Sequence, residues 1–470
     1  MAIGTLTGLQ VARRRPRQNE WAQSLGGDVL AFLIGLGSCF TLKIIGDIPI
    51  CELILIPSLP LLFTMNPHRL RLRQRRIGVI LSLMFLWLLG QIVTDVYRST
   101  ASRDWLRGDA NIVFFILDMI GLAILLKGNM RRQMILFFGL AIGLGLAPIL
   151  EPSLFTGEGT ALKFGYAWTI LYLATLASCH FYRRRQYFLA GLFLIGDIIF
   201  NGLHNFRTVT LTMFVATCLV LPIIPEKIGQ FRILPKGQTP ARVLTVLGIA
   251  LISGALTGKV MTTLAASGLL GAEAQWKNQQ QTSAGWGILI GGRPEIIVSA
   301  RAVMDSPILG HGSWAKDPKY VAMLNEIEAE YGMQVLDPQG ERYAGLIPAH
   351  SHLMGAWVNA GIVGAIFWIY ILVSTLKSIV RASLARIPVK PVYVCLLTLL
   401  LWDILFSPFG GLRRVTVSFF IVIICEILDP DNSARQMARR AFARAQFPMQ
   451  IRNLGRISPG LRPSLMRAKV

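Results

Sequence analysis

Residues 291–312 read GGRPEIIVSARAVMDSPILGHG, and residues 348–364 read PAHSHLMGAWVNAGIVG. The first stretch belongs to a long, mostly polar connection. The second opens an apolar run that continues to about residue 376. A run of that length marks a helix entering a bilayer, because about twenty apolar residues are needed to cross the hydrocarbon layer.

Working outward, similar runs recur at roughly 27–45, 48–66, 77–95, 112–127, 134–150, 163–181, 186–203, 207–225, 243–265, 350–376, 388–407 and 414–428. The chain has 470 residues, of which 53% are hydrophobic and only 15% charged, too little charge for a soluble protein of this size. The expected fold is all-α: a polytopic membrane protein with about 12 transmembrane helices and one long structured extracytoplasmic loop. Residues 1–265 would hold the first nine spans, 266–349 the loop, 350–428 the last three spans and 429–470 a basic cytoplasmic tail. The first 21 residues are polar and basic with no clear cleavage site after them, so the first span is expected to stay as a signal anchor. Six cysteines all fall in or beside apolar runs and are expected to be small core residues.

The net charge of +22 is concentrated in short clusters between apolar runs, among them Arg13 to Arg17, Arg69 to Arg76, Arg183 to Arg185 and the tail. Loop 266–349, by contrast, carries six Lys and Arg against nine Asp and Glu. With twelve spans the basic clusters all fall on one side, which the positive-inside rule makes cytoplasmic, together with both termini. The basic residues form no face interleaved with aromatics, so no nucleic-acid partner is expected; membrane lipids are.

Within the loop, Ile296, Ile297, Ala300, Val303 and Met304 form a helical stripe between Pro294 and Ser306. Asp317-Pro318 has the form of an N-cap followed by proline at the first helical position, with a helix continuing through Val321, Leu324 and Tyr331 to Gly332. Arg293 and Arg301 are eight residues apart, about 80° around a helix, and each offers a fork of donors suited to phosphate oxygens. Ion pairing with Glu295 or Asp305 is the alternative use. Arg207 stands at the outer end of a span, where it either snorkels or faces the same cavity. Arg413 and Arg414 open the last span, to line that cavity or to bind lipid head groups. His350 and His352 open the tenth span, and an imidazole there is a ready general base. With His311 they invite a metal reading, but residues two apart on a helix point about 200° apart and no carboxylate or Cys partner accompanies them, so no metal or other cofactor is expected. Asp118, Asp197 and Asp403 lie in apolar runs and require partners, structural or in a proton path. Walker A, GxSxG and HExxH patterns are absent.

The ordered pieces Gly292-Arg293, Asp305-Ser306-Pro307-Ile308-Leu309-Gly310-His311-Gly312, and His350-Ser351-His352-Leu353 with Gly361-Ile362-Val363-Gly364 together resemble the O-antigen ligase and O-antigen polymerase superfamily. Phe206-Arg207-Thr208 resembles the Ser-Arg pattern that begins one of that family's spans, with Phe206 in place of Ser, and Ser351 replaces the family's usual Asn. The resemblance implies a metal-independent, inverting glycosyltransferase of the bacterial inner membrane, with its loop periplasmic. Its donor would be a polyprenyl-diphosphate-linked oligosaccharide, and other polysaccharide-assembly proteins are implied partners. In this reading Arg207 and Arg293 hold the diphosphate, with Arg301 a weaker third. His350 is the base or orients the acceptor, with His352 the fallback. His311, Arg413 and Arg414 complete the substrate site. A polymerase of surface polysaccharide and a ligase to lipid A core fit the residues equally, with a slight preference for the polymerase. A transporter of the lipid-linked sugar and a non-catalytic assembly partner are the alternatives from other classes.

Overall fold

The computed structural model describes residues 18–43, 47–65, 75–152, 155, 159–204, 206–221, 227–228, 231–232, 239–269, 271–272, 275–276, 278–279, 293–330, 345–385 and 387–429. Arg13 to Arg17, Arg69 to Arg73, Asn205, Gly291, Gly292, the helix end expected at Gly332 and the tail beyond Asp429 lie outside them. The described residues form an all-helical body. In chain order its helices are α1 (Gln18–Gly37), α2 (Ile50–Met65), α3 (Arg75–Arg98), α4 (Ser102–Leu126), α5 (Met130–Leu150), α6 (Ala167–Arg183) and α7 (Tyr187–Leu203). There follow α8 (Arg207–Val220), α9 (Pro240–Ala266), α10 (Glu295–Asp305), α11 (Pro318–Glu330), α12 (His352–Leu384), α13 (Lys390–Phe406) and α14 (Arg414–Leu428). The only sheet among the described residues is two short antiparallel ribbons, one of them Thr41–Lys43 with Asp47–Pro49.

Among the described residues, each of the twelve apolar runs overlaps a helix. Five helical segments among the described residues are long and apolar enough to cross a membrane: Arg75–Arg98, Ser102–Leu126, Met130–Leu150, Val243–Ala266 and His352–Leu384. Helices α13 and α14 form the hub. Residues 390–400 and 417–426 are buried without interruption, as expected of helices apolar on every side. Around them, α1 packs on α5 at backbone distance. A Cβ on Gly35 would stand 2.1 Å from the Leu136 carbonyl oxygen, and one on Gly139 2.4 Å from that of Phe32. Small residues at such a contact let two helices approach closely. All six cysteines are buried and in no disulfide, as core residues should be.

The two ends of the bundle differ. Basic turns such as 127–132 and 183–185 gather at one end, where Arg381 also donates to the Leu428 carbonyl. The described parts of the long connection cover the other end. There α10 and α11 share a small core of Val298, Ala302, Tyr320, Leu324 and Ile347 with Val358 of α12. Asp317 caps α11 as expected, its carboxylate accepting from the Lys319 amide at 3.0 Å. The stripe expected on α10 is corrected: Val298, Ser299, Ala302 and Val303 face inward, and Met304 is 66% exposed. The helix must serve two neighbours, α11 and α12, and the contact with α12 rotates the buried face away from the stripe that periodicity alone selects.

Candidate functional site

Segment 306–313 and the first part of α12 are locked together. Gly361 has φ 63° and ψ −154°, which breaks α12 into residues 352–360 and 362–384. A break frees carbonyls before it and amides after it, and buried backbone groups must find partners. Segment 306–313 supplies them. The His311 amide donates to the Val358 carbonyl at 2.7 Å, and the Gly312 amide to that of Asn359 at 3.0 Å. The Ile308 carbonyl accepts from the Ile362 amide at 3.2 Å. Trp357 Nε1 adds a bond to the Pro307 carbonyl at 2.9 Å. The segment acts as a strap threaded through the break.

Below the strap, the residues before and at the start of α12 meet the end of α13. Ser351 Oγ donates to the Ile404 carbonyl at 2.8 Å and accepts from the Met354 amide, capping α12. His352 Nδ1 lies 2.6 Å from the Ser407 carbonyl, with its ring against Trp368 and Phe409. The Arg293 guanidinium donates to the Phe406 carbonyl and lies 5.6 Å from the centre of the Trp402 ring. Arg413 pairs with Asp403 at 2.7 Å. A helix C-terminus carries partial negative charge and unpaired carbonyls, so these donors are drawn to it.

Arg293, Arg413 and His352 therefore come together at this helix end, and His350 immediately precedes the Ser351 that caps α12. They differ in reach. His352 is fully buried, whereas His350, two residues earlier, is half-buried. Arg293 precedes α10 rather than lying on it, so its angular relation to Arg301 does not hold. Burial pulls its guanidinium below the ordinary 12.5, the nearby Glu295 opposing that shift, and it stays charged at neutral pH. Among the described residues Arg293 makes no ion pair. Arg207 opens α8, which packs against α13. Alternation of the bundle puts its first residue at this same end.

The other expected residues lie elsewhere. Arg301 pairs with Asp305 at 3.1 Å, the use that sequence offered as its alternative. His311 Nε2 meets the Ala302 carbonyl at 2.8 Å and its ring stands edge-on to Tyr320, holding α10 to α11. Arg414 is 6% exposed and forked onto Glu52 by two 2.7 Å bonds, with a third to Asn111. It faces the interior of the bundle. Of the three aspartates, Asp403 pairs with Arg413, Asp197 accepts from Asn201 at 3.0 Å, and Asp118 lies fully buried beside Glu52 and Arg414. Among the described residues no three His, Cys, Asp or Glu side chains form a metal-binding group.

Asp305 also binds Lys319 Nζ at 2.9 Å and the Tyr320 hydroxyl at 2.8 Å. These donors, led by Lys319, hold its carboxyl down to about 2 from an ordinary 3.8. A carboxyl depressed on folding stabilises the fold fully above its unfolded value, and that contribution is lost as pH falls through the folded one. Amide protection factors in the first turn of α11 are therefore expected to hold steady down to about pH 4 and to drop between about pH 4 and 2. Unchanged protection across that window would show that Asp305 does not secure α11.

Sequence reasoning missed the role of the α13 terminus. Trp402, Phe406 and Ser407 act through a ring or a main-chain carbonyl, and carbonyls leave no mark on residue type. Glu52 was missed as well. It stands at the very start of an apolar run, where a single acid looks like a boundary residue. The chain was compared with known proteins: no family model matches it, and no curated protein does.

Proposed function

We propose that this chain is a membrane glycosyltransferase. It moves a glycan from a polyprenyl-diphosphate carrier to an acceptor hydroxyl at the extracytoplasmic face, extending a surface polysaccharide. The observation that carries the reading is Arg293: a half-buried guanidinium without an ion pair among the described residues, bonded to the same α13 terminus that Ser351, the chain neighbour of His350, also meets. A partly desolvated arginine that neither nearby carboxylate, Glu295 or Asp403, engages in an ion pair is a site for an anion, and its planar fork fits phosphate oxygens. The polyprenyl chain of the carrier would lie along the apolar helices.

In this reading the acceptor oxygen attacks the anomeric carbon from the face opposite the leaving group. The new C–O bond forms as the bond from that carbon to the diphosphate oxygen breaks, with inversion. His350 takes the hydroxyl proton. His352 is walled off by Trp368 and Phe409 and orients the start of α12 instead. Arg293, assisted by Arg207, stabilises the charge that grows on the departing diphosphate. Fixed donors at such a position contribute about 100- to 1,000-fold each. Arg413 is held by Asp403 and shapes the site beside Arg293.

Arg293→Ala is expected to lower glycan transfer by about 100-fold or more while leaving translocation of the lipid-linked sugar intact. Sizing the glycans in cells carrying the variant separates the possibilities. Single repeats accumulating on the carrier mean a polymerase. Long chains stranded on the carrier, with lipid A core bare, mean a ligase. Wild-type transfer would overturn the enzymatic reading.

A further inference from the structure

The strap that fixes the first segment of α12 is itself held from a third helix. Arg98, in the last turn of α3, donates through Nε and Nη2 to the Gly310 carbonyl at 3.0 and 2.8 Å, and through Nη2 to Ser306 Oγ at 2.7 Å. One turn earlier, Thr94 Oγ1 donates to the Leu309 carbonyl at 2.6 Å. Asp95 accepts from both the amide and the hydroxyl of Ser313, each at 2.6 Å, and from Gln91 Nε2 at 3.2 Å. The left-handed backbone at Gly310 and Gly312 lets the strap turn the Leu309 and Gly310 carbonyls towards α3 and the His311 and Gly312 amides towards α12. A Cβ on Gly312 would stand 2.5 Å from Thr100 Oγ1.

From these contacts we infer that Arg98 is a positioning residue, with Thr94 and Asp95 as its support. The cluster sets the first segment of α12, and with it His350, against Arg293 at the end of α13. The inference rests on the proposed function for the identity of the reaction, but the geometric chain is continuous. Arg98 holds the Gly310 carbonyl, the next two amides of the strap hold Val358 and Asn359, and residues 352–360 run from there back to Ser351 and His352, which bond to the end of α13. No residue in that chain needs to touch substrate. Arg98 is itself exposed, so its removal leaves the hydrophobic core untouched. What is lost is the registry of two sets of groups on different helices, and a displacement of about 1 Å in a reacting geometry costs about 100-fold in rate.

The test uses the full chain purified in detergent, with lipid-linked repeats extracted from a deletion strain as substrate. Arg98→Ala is expected to lower kcat by about 10- to 100-fold, with KM for the lipid-linked repeat and the melting temperature nearly unchanged. Arg98→Lys reaches one acceptor but cannot fork onto both Gly310 and Ser306, so its kcat should fall between the two. Millimolar guanidinium should restore part of the Ala variant's rate and none of the Lys variant's. A raised KM at unchanged kcat would overturn the inference in favour of direct substrate contact. A melting temperature that falls in step with activity, without rescue, would overturn it in favour of a purely structural role. Wild-type kinetics would overturn it outright. Arg293→Ala runs in parallel: if that variant transfers glycan normally, the proposed function fails, whatever Arg98→Ala does.

Discussion

Gly361→Ala is expected to be the most damaging single methyl group that can be added to this chain. Two effects coincide. The backbone at φ 63° and ψ −154° lies where side chains other than glycine are strained by about 1–3 kcal/mol. The added Cβ would also stand 1.9 Å from the Ile308 carbonyl oxygen and 2.7 Å from the Leu309 carbonyl carbon. Both are backbone atoms of the strap, already fixed by bonds to Val358 and Asn359, so neither can swing aside as a side-chain tip would. Either α12 closes into regular helix and expels the strap, or the break persists under strain. Expelling the strap loses the three backbone hydrogen bonds across the break and strands the polar groups around it, and buried groups left unpaired cost about 1–3 kcal/mol each. A destabilisation above about 4 kcal/mol and complete loss of activity are expected. Gly355 is the control on the same helix. The nearest atom to its Cβ position is the Ala349 side chain at 3.9 Å, and alanine there removes a helix-interior glycine, which is worth about 1 kcal/mol. Thermal unfolding of both variants in one detergent decides it. Gly361→Ala melting like the parent would refute the interlock.

The second large effect concerns Glu52 and Arg414. Glu52 is fully buried, Arg414 nearly so, and the guanidinium is forked across the carboxylate. Removing one member of a buried pair leaves the other charged in a low-dielectric interior and costs about 3–5 kcal/mol. Glu52→Ala is expected to lose that much, and Arg414→Ala a similar amount. Replacing both with apolar residues of similar size, Glu52→Leu with Arg414→Met, is expected to recover most of the loss, because a well-packed apolar pair is often as stable as the ions. Unfolding of the single and double variants measures the coupling. Additive losses would mean that the pair does not act as a unit. Arg413 makes an instructive neighbour. It pairs with Asp403 at a partly exposed position, so Arg413→Ala should cost far less stability and register in activity instead.

Adjacent in sequence, Arg413 and Arg414 show where the reading of sequence stops. Periodicity located the apolar helices, and Asp317-Pro318 announced the start of α11, because capping and apolar spacing are local properties. The direction in which an arginine turns is not local. Arg413 ends a short 3-10 turn and meets α13, while Arg414, one residue on, begins α14 and points between α2 and α4. The histidines followed the same logic. Their two-residue spacing implied opposite directions only if both lay on the helix; α12 begins at His352, so His350 precedes it, and the difference in their burial comes from the extended backbone at Ser351. Gly361 was visible only as one member of a glycine pair. Its left-handed backbone depends on a segment some fifty residues earlier, and no window along the chain contains both.

The break at Gly361 also changes where the bilayer has to begin. Residues 362–384 alone form a continuous helix of about 35 Å, already longer than a hydrocarbon layer of about 30 Å. The nine residues before the break add about 14 Å more. That segment need not lie among lipid tails at all. It can stand as two and a half turns above them, at the depth of the head groups, and under the proposed function His350 would there meet a sugar hydroxyl arriving from water while the lipid chain of the donor stays immersed below.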